Sequence, residues 1–325
     1  LMLNKEVRDI FKTRHQIIAD LRSYLINKDF IEVETPVLAN QAGGAAAKPF
    51  ITHHNALKQD MFMRIAPELY LKQLVIGGLD RVFEIGKNFR NESIDTTHNP
   101  EFTACEFYMA GADYYKLIEM TQELLINMVE KIKGNLKVEW MGQEIDFSPP
   151  FKQVDMLDEL QNEIRERIND ENFMLPDINS ETAEEEFMNL HTLLGIKPEP
   201  PYTLNRLVDN LVGEFVEPKC IQPTFLMNHP RIMSPLAKPH RLDSTKTERF
   251  ELFVNGKEIC NAYTELNNPL IQKEMFDKIA KQKENEIADA LKEFSDKTLD
   301  KVASERTWNN KHSKAAWEKF GQEYL

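Results

Sequence analysis

Two short runs concentrate the groups best suited to chemistry. Phe89-Arg90-Asn91-Glu92 and His98-Asn99-Pro100-Glu101-Phe102 bring a guanidinium, carboxylates, an imidazole and aromatic rings into one polar stretch. On a loop, Arg90 can clamp a phosphate or carboxylate through two parallel hydrogen bonds. An isolated Arg-x-Glu is equally a surface ion pair, so the stretch is informative only together with the residues C-terminal to it. If residues 103–108 form a strand, the period of two sets Phe102, Ala104, Glu106 and Tyr108 on one face. Burying Glu106 without a partner is costly, so this face is either open to solvent or part of a polar pocket. The pattern recurs at Asn261, Tyr263 and Glu265. Two faces thus each offer an acid and a tyrosine, and if they line one pocket its negative end suits an ammonium group. Glu258 is out of phase with Asn261 and needs a bulge to join that face.

These residues require particular elements around them. Val7, Ile10, Phe11, Ile17, Ile18, Leu21 and Leu25 recur at helical spacing, predicting an amphipathic helix over residues 4–29. Phe30–Pro36 alternates and stops at proline, as an extended segment does. Residues 41–47, centred on Gly43-Gly44, form a small-residue loop able to approach a ligand closely. A short helix through Leu69 and Leu74 precedes strands at 81–86 and 103–108. Tyr115–Lys133 reads as a second helix, with Leu117, Met120, Leu124, Met128 and Ile132 inward and Gly134 as its cap. Hairpins are expected at Lys137–Phe147 and around Asn255-Gly256. Residues 150–205 read as an acidic, helical, peripheral insertion, and 276–325 as a charged helical tail. Helices mixed irregularly with hairpins favour an antiparallel sheet flanked by helices, the α+β class.

Composition narrows the function. The net charge of −13 disfavours indiscriminate nucleic-acid binding, so an RNA contact needs a local basic patch. Cys105, Cys220 and Cys260 have no metal-ligand or disulfide-framework spacing, which fits a reducing cytosol. No apolar run approaches the ~20 residues that span a bilayer. The chain opens Leu-Met-Leu, the expected look of a piece of something longer.

Four stretches together resemble the class II aminoacyl-tRNA synthetases, and among them the lysine enzymes of the eukaryotic cytoplasm. They are Phe30–Pro36, Ile65-Ala-Pro-Glu-Leu-Tyr70, Phe89–Tyr108, and Glu251–Leu266 with its Glu-Ile-Cys-Asn-Ala-Tyr-Thr-Glu-Leu. The resemblance runs over residues 1–275, which it implies are a catalytic domain. In the aspartate and asparagine enzymes a glutamine takes the place of Glu68. The resemblance implies that Glu68 and the Gly44 loop meet the substrate's α-amino group, and that Glu265 and Tyr108 hold its ε-ammonium. Glu106 and Tyr263 complete the lysine pocket, and Arg90 and Asn261 hold the carboxylate. A buried acid left unpaired by a neutral side chain costs about 2–5 kcal/mol, which discriminates without editing.

For ATP the resemblance implies Arg90 on the α-phosphate, Glu92, His98 and Asn99 around the nucleotide, Phe102 against adenine, and Glu251 and Glu258 on magnesium. It implies lysyl-adenylate formation with Arg90 as the catalytic group, transfer to the acceptor end of tRNA(Lys), and a homodimer through the 30–36 region and the preceding helix. The family's anticodon-reading barrel precedes the region corresponding to residue 1, and its third motif, a glycine-rich strand and an arginine, belongs after residue 275. Residues 276–325 hold no Gly-x-Gly and a single arginine, Arg306, read as a surface residue. Transfer to a non-tRNA acceptor, or a non-catalytic binding module, are the alternatives. Arg90, Glu92, Glu251 and Glu265 weigh against the module, since a lysine binder needs neither phosphate nor metal groups.

Overall fold

The structure, a computed structural model, describes residues 3–40, 43–45, 47–95, 97–140 and 142–277. The chain divides into two units, Leu1–Asn267 and Asn268–Leu325. In the first unit the order is α1 (Lys5–Ile26), β1 (Ile31–Glu32), β2 (Leu38–Ala39), β3 (Ile51–His54), β4 (Gln59–Met63), α2 (Glu68–Ile76), β5 (Arg81–Phe89) and β6 (Glu101–Met109). Then come α3 (Tyr114–Lys133), β7 (Lys137–Trp140), β8 (Gln143–Asp146), β9 (Lys152–Asp155), α4 (Met156–Ile168), α5 (Ala183–Leu194), α6 (Leu204–Phe215), β10 (Thr224–Met227), β11 (Arg249–Val254) and β12 (Lys257–Tyr263). In the second unit, residues 269–277 are helical; the rest of the expected tail, Arg306 included, lies outside the described residues.

Local chemistry accounts for many of these boundaries. Asn4 Oδ1 caps the first turn of α1 by accepting from Val7 N at 3.3 Å, and Asp113 Oδ1 does the same for α3 from Lys116 N at 3.1 Å. Gly134 ends α3 at φ 77°, in the left-handed region that favours glycine. Asn255 (φ 51°) and Gly256 (φ 67°) make the two-residue turn between β11 and β12. The bulge that Glu258 required is present: Leu252 pairs with Cys260 but Phe253 with Glu258, leaving Ile259 as the extra residue.

The fold is α+β, with antiparallel pairs dominant and helices against the sheets. Two pairings depart from the antiparallel expectation: β1 lies parallel to β5, and β9 parallel to β10. The four-stranded sheet runs β12-β11-β10-β9, two three-stranded sheets run β1-β5-β6 and β2-β4-β3, and β7 pairs with β8.

Residues 150–205 are not a peripheral insertion. They begin with β9, a strand of the main sheet, and α4, α5 and α6 bury Leu160, Ile164, Phe187, Leu207, Val208 and Leu211 with Leu226 and Phe253 as one core cluster. The other face of the sheet packs Phe225, Phe250 and Leu252 with Tyr114 and Ile118 of α3. Every residue of β10 is therefore buried, which explains why it reads as a plain apolar run rather than an alternation. Core rings interlock: Phe225 and Phe250 meet edge to face at 5.1 Å.

The inward face expected of α1 is only partly met. Leu25 is fully buried, but Ile10 is 66% and Phe11 59% exposed, an apolar stripe that one chain leaves uncovered. No helix among the described residues is long and apolar enough to cross a membrane.

Candidate active site

Four elements converge here. The N-terminus of α2 supplies Glu68, β6 supplies Phe102, Glu106 and Tyr108, and the loop after β5 supplies Arg90. β12 and the residues after it supply Asn261, Tyr263 and Glu265. The face of β6 is polar and partly buried: Tyr108 Oη donates to Glu106 Oε2 at 3.3 Å. Burial first, then the Glu68 charge, push the Glu106 carboxyl up to about 7, with Arg90 and Arg64 opposing. Burial likewise drives the Tyr108 phenol well above its ordinary range.

Glu68 is buried and is reached from the other hairpin. Tyr263 Oη donates to Glu68 Oε1 at 2.9 Å, and Lys72 Nζ lies 2.5 Å from the same oxygen. The same Lys72 Nζ is 2.7 Å from Glu265 Oε2, so Glu68, Tyr263, Lys72 and Glu265 form one connected cluster. Burial raises the Glu265 carboxyl to about 7, against the pull of Lys72. Gly44 sits at φ 89°, and a Cβ there would lie 3.2 Å from Glu68 Cβ, so the loop does approach this acid.

Arg90 lies at the other end. Its guanidinium is 5.1 Å from the centre of the Phe102 ring, and its Nε reaches Ile65 O at 3.5 Å. Its charge is felt by both Glu106 and Glu258. Glu92 Oε1 accepts from Lys48 N at 3.4 Å. His98 and Asn99 are exposed on the loop, with His98 Nδ1 2.8 Å from Asp95 Oδ2.

On the sheet, Glu251 and Asn261 are cross-strand partners, and Asn261 Nδ2 donates to Glu251 Oε1 at 3.3 Å. Arg249 is ion-paired with Glu251, and His229 Nε2 lies 3.1 Å from Glu251 Oε2. Burial opposes ionisation of Glu251, yet its carboxyl lies well below the usual range. The buried His229 ring is itself driven below its ordinary value, burial first and Arg249 second, against the opposing pull of Glu251. The His229 contact first, and the Arg249 guanidinium second, overcome the burial of Glu251 and favour the ionised carboxylate. Water reaches Glu258, but its crowded surroundings push its carboxyl up to about 7, and the Glu251 and Glu217 charges add to the push.

No group of three or more metal-ligating side chains occurs among the described residues. Glu251 and Glu258 are carboxylates of the kind magnesium takes, one or two at a time, with phosphate oxygens and water completing its shell. Both Glu251 oxygens are engaged here by Arg249, Asn261 and His229, contacts that a metal ion would have to displace. An open cavity of about 400 Å³ elsewhere, lined by Glu181, Glu184, Met188 and Tyr202, holds none of these residues.

Sequence reasoning missed Lys72, Arg249 and His229. Lys72 was findable as the fourth residue after Glu68 on one helix, and Arg249 as the residue two before Glu251 on one strand. His229 had no local signal.

The family model described as "tRNA synthetases class II (D, K and N)" matches residues 1–299. The probable cytoplasmic lysine–tRNA ligase of Encephalitozoon cuniculi is 50% identical over 285 residues, covering 85% of this chain and 55% of that protein. The corresponding protein of Vairimorpha ceranae is 52% identical over 285 residues, covering 85% and 54%. The lysine–tRNA ligase of Clostridium novyi is 47% identical over 292 residues, covering 89% and 55%. The chain spans about half the length of the curated relatives it matches. A match over residues 1–299, together with this site, means that the chain belongs to the class II tRNA synthetases of the D, K and N group.

Proposed function

We propose that this chain carries the amino-acid-activating domain of a lysine–tRNA ligase, which joins lysine to ATP as lysyl-adenylate and passes the lysyl group to the acceptor end of tRNA(Lys). The observation that carries this reading is the pair of acids, Glu68 and Glu265, supplied by different elements and tied into one cluster with Tyr263 beside Arg90 and Glu106. Lysine has two ammonium groups; a buried acid, Glu68, for one and a half-buried acid, Glu265, for the other reward both and leave a neutral side chain's partner unpaired. The relatives' names point the same way.

In this reading Glu68, with the Gly44 loop, holds the α-ammonium, while Glu265 and Tyr108 hold the ε-ammonium and Glu106 and Tyr263 complete the walls. Arg90 and Asn261 orient the substrate carboxylate; for Asn261 this means exchanging its contact with Glu251. The carboxylate attacks the α-phosphorus in line, the bond to the bridging oxygen breaks, and pyrophosphate leaves with that electron pair. Arg90 neutralises charge growing on the α-phosphate oxygens, and no general base is needed. Phe102, already under the Arg90 guanidinium, supports the adenine; Glu92, His98 and Asn99 surround the nucleotide. Glu251 and Glu258 would hold magnesium, which supplies charge neutralisation at the leaving pyrophosphate.

The exposed stripe of Ile10 and Phe11 on α1 supports a homodimer through α1 and residues 30–36. The names of two relatives support a cytoplasmic setting. The test is lysine-dependent exchange of labelled pyrophosphate into ATP. Wild-type exchange that Arg90→Ala abolishes supports adenylate chemistry; no exchange by folded wild-type chain overturns the reading.

A further inference from the structure

Lys72 stands on α2 one turn after Glu68 and faces the same way. Its ammonium touches both of the acids assigned to the substrate's amines, at 2.5 Å from Glu68 Oε1 and 2.7 Å from Glu265 Oε2. It also lies 5.7 Å from the centre of the Tyr263 ring. Burial works against its charge, but the two carboxylates prevail and hold it as an ammonium.

The division of oxygens is the informative point. Tyr263 and Lys72 both use Oε1 of Glu68, and Lys72 uses Oε2 of Glu265. Among the described residues, no hydrogen bond or ion pair reaches Glu68 Oε2 or Glu265 Oε1. Each acid therefore has one oxygen tied by the protein and one uncommitted. One nitrogen in contact with both carboxylates stops them from parting under their own repulsion. Glu265 needs this most, because it follows the end of β12 and its side chain is 38% exposed, free to swing toward water without the tie.

We propose that Lys72 is a positioning and specificity-determining residue: it ties Glu68 to Glu265, fixes the span between them, and so sets the chain length of the diamino acid the pocket accepts. This rests on the lysine-site reading above. Lysine uses the two uncommitted oxygens while Lys72 keeps the other two. Ornithine, one methylene shorter, cannot span a fixed pair but can draw a loosened Glu265 inward.

The experiment measures lysine, ornithine and ATP binding by calorimetry on the full chain, as wild type and as Lys72→Met, Lys72→Arg and Glu265→Gln. Lys72→Met is expected to weaken lysine about tenfold, because positioning losses are amplified at a preorganised site, and to narrow the lysine-over-ornithine ratio with ATP binding unchanged. Lys72→Arg, whose fork can bridge two carboxylates, is expected to recover most of the ratio. If Glu265→Gln weakens lysine while Lys72→Met preserves both affinity and ratio, the tie is wrong and the site reading stands. If Glu265→Gln leaves lysine binding untouched, both are wrong. Should Lys72→Met fail to fold, a crystal structure of wild type with lysine decides: Lys72 still touching both acids supports the tie, and Lys72 swung away from either overturns it.

Discussion

Tyr263 and Glu68 are 195 residues apart in sequence, and a 2.9 Å hydrogen bond from the phenol to Oε1 joins them. It fastens the end of β12 to the start of α2, the two elements that supply the proposed amine ligands. Burial drives the phenol far above its ordinary range, so it remains a donor at every physiological pH. Removing the hydroxyl forfeits a hydrogen bond worth about 1–3 kcal/mol, since the acceptor is charged.

Tyr263→Phe is therefore expected to raise the KM for lysine several-fold in pyrophosphate exchange, with little change in the KM for ATP. The ring stays and the fold is undisturbed. An unchanged lysine KM excludes Tyr263 from the pocket.

Glu265→Gln should weaken lysine more than it weakens ATP, and wild-type lysine affinity should fall on acidification through pH 7. The sign follows from the raised carboxyl, at about 7. Below that value Glu265 is protonated while the substrate ε-ammonium keeps its charge, so the attraction is lost. Glu106, also at about 7, acts in the same direction. Lysine titrations across this range check it, and affinity that rises on acidification would refute the role.

The same carboxyls govern the stability of the ligand-free chain. Glu106, Glu217 and Glu265 each rise from 4.5 to about 7 on folding. The folded state thus binds protons more tightly than the unfolded chain between those values, and stability declines as pH rises through them, levelling off above. His229, driven below its ordinary 6.5, opposes the trend only at more acid pH. Thermal unfolding should occur at lower temperature at about pH 8 than at about pH 6.5. The reverse order refutes the buried-carboxyl account.

How much of this was legible in the sequence depends on the range of each interaction. The alternation that groups Glu106 with Tyr108, the Asn255-Gly256 turn, the bulge that Glu258 requires and the cap at Gly134 are all local, and each follows from a few neighbouring residues. The parallel pairing of β9 with β10 joins segments separated by three helices, and no local period encodes that register. The burial of 150–205 was misread for a related reason. Most of its charged residues face water while Leu160, Phe187 and Leu204 join Leu226 of β10 and Phe253 of β11 in one core, and composition averages over both faces. The site residues came from spacing and resemblance together. Lys72 was passed over because a lysine on a helix ordinarily points to solvent.

Arg64 gives the last prediction, in which two glycine substitutions have opposite signs. Its buried guanidinium pairs with Glu84, and donates to Lys87 O at 2.8 Å and Thr35 Oγ1 at 3.1 Å, locking the segment after β1 to β5. A Cβ on Gly86 would overlap an Arg64 Nη and stand 3.2 Å from Glu84 Oε1. The guanidinium cannot retreat without abandoning a buried carboxylate, so Gly86→Ala is expected to destabilise by about 3 kcal/mol, at the lower end for breaking a buried pair. Gly213 lies within α6, where the nearest atom to an added Cβ is 3.9 Å away. There is room for the methyl group, and alanine restrains the unfolded chain, so Gly213→Ala is expected to stabilise by about 0.5–1 kcal/mol. Urea unfolding midpoints measure both. If Gly86→Ala unfolds at the wild-type midpoint, the Arg64–Glu84 pair does not hold the core of this sheet together.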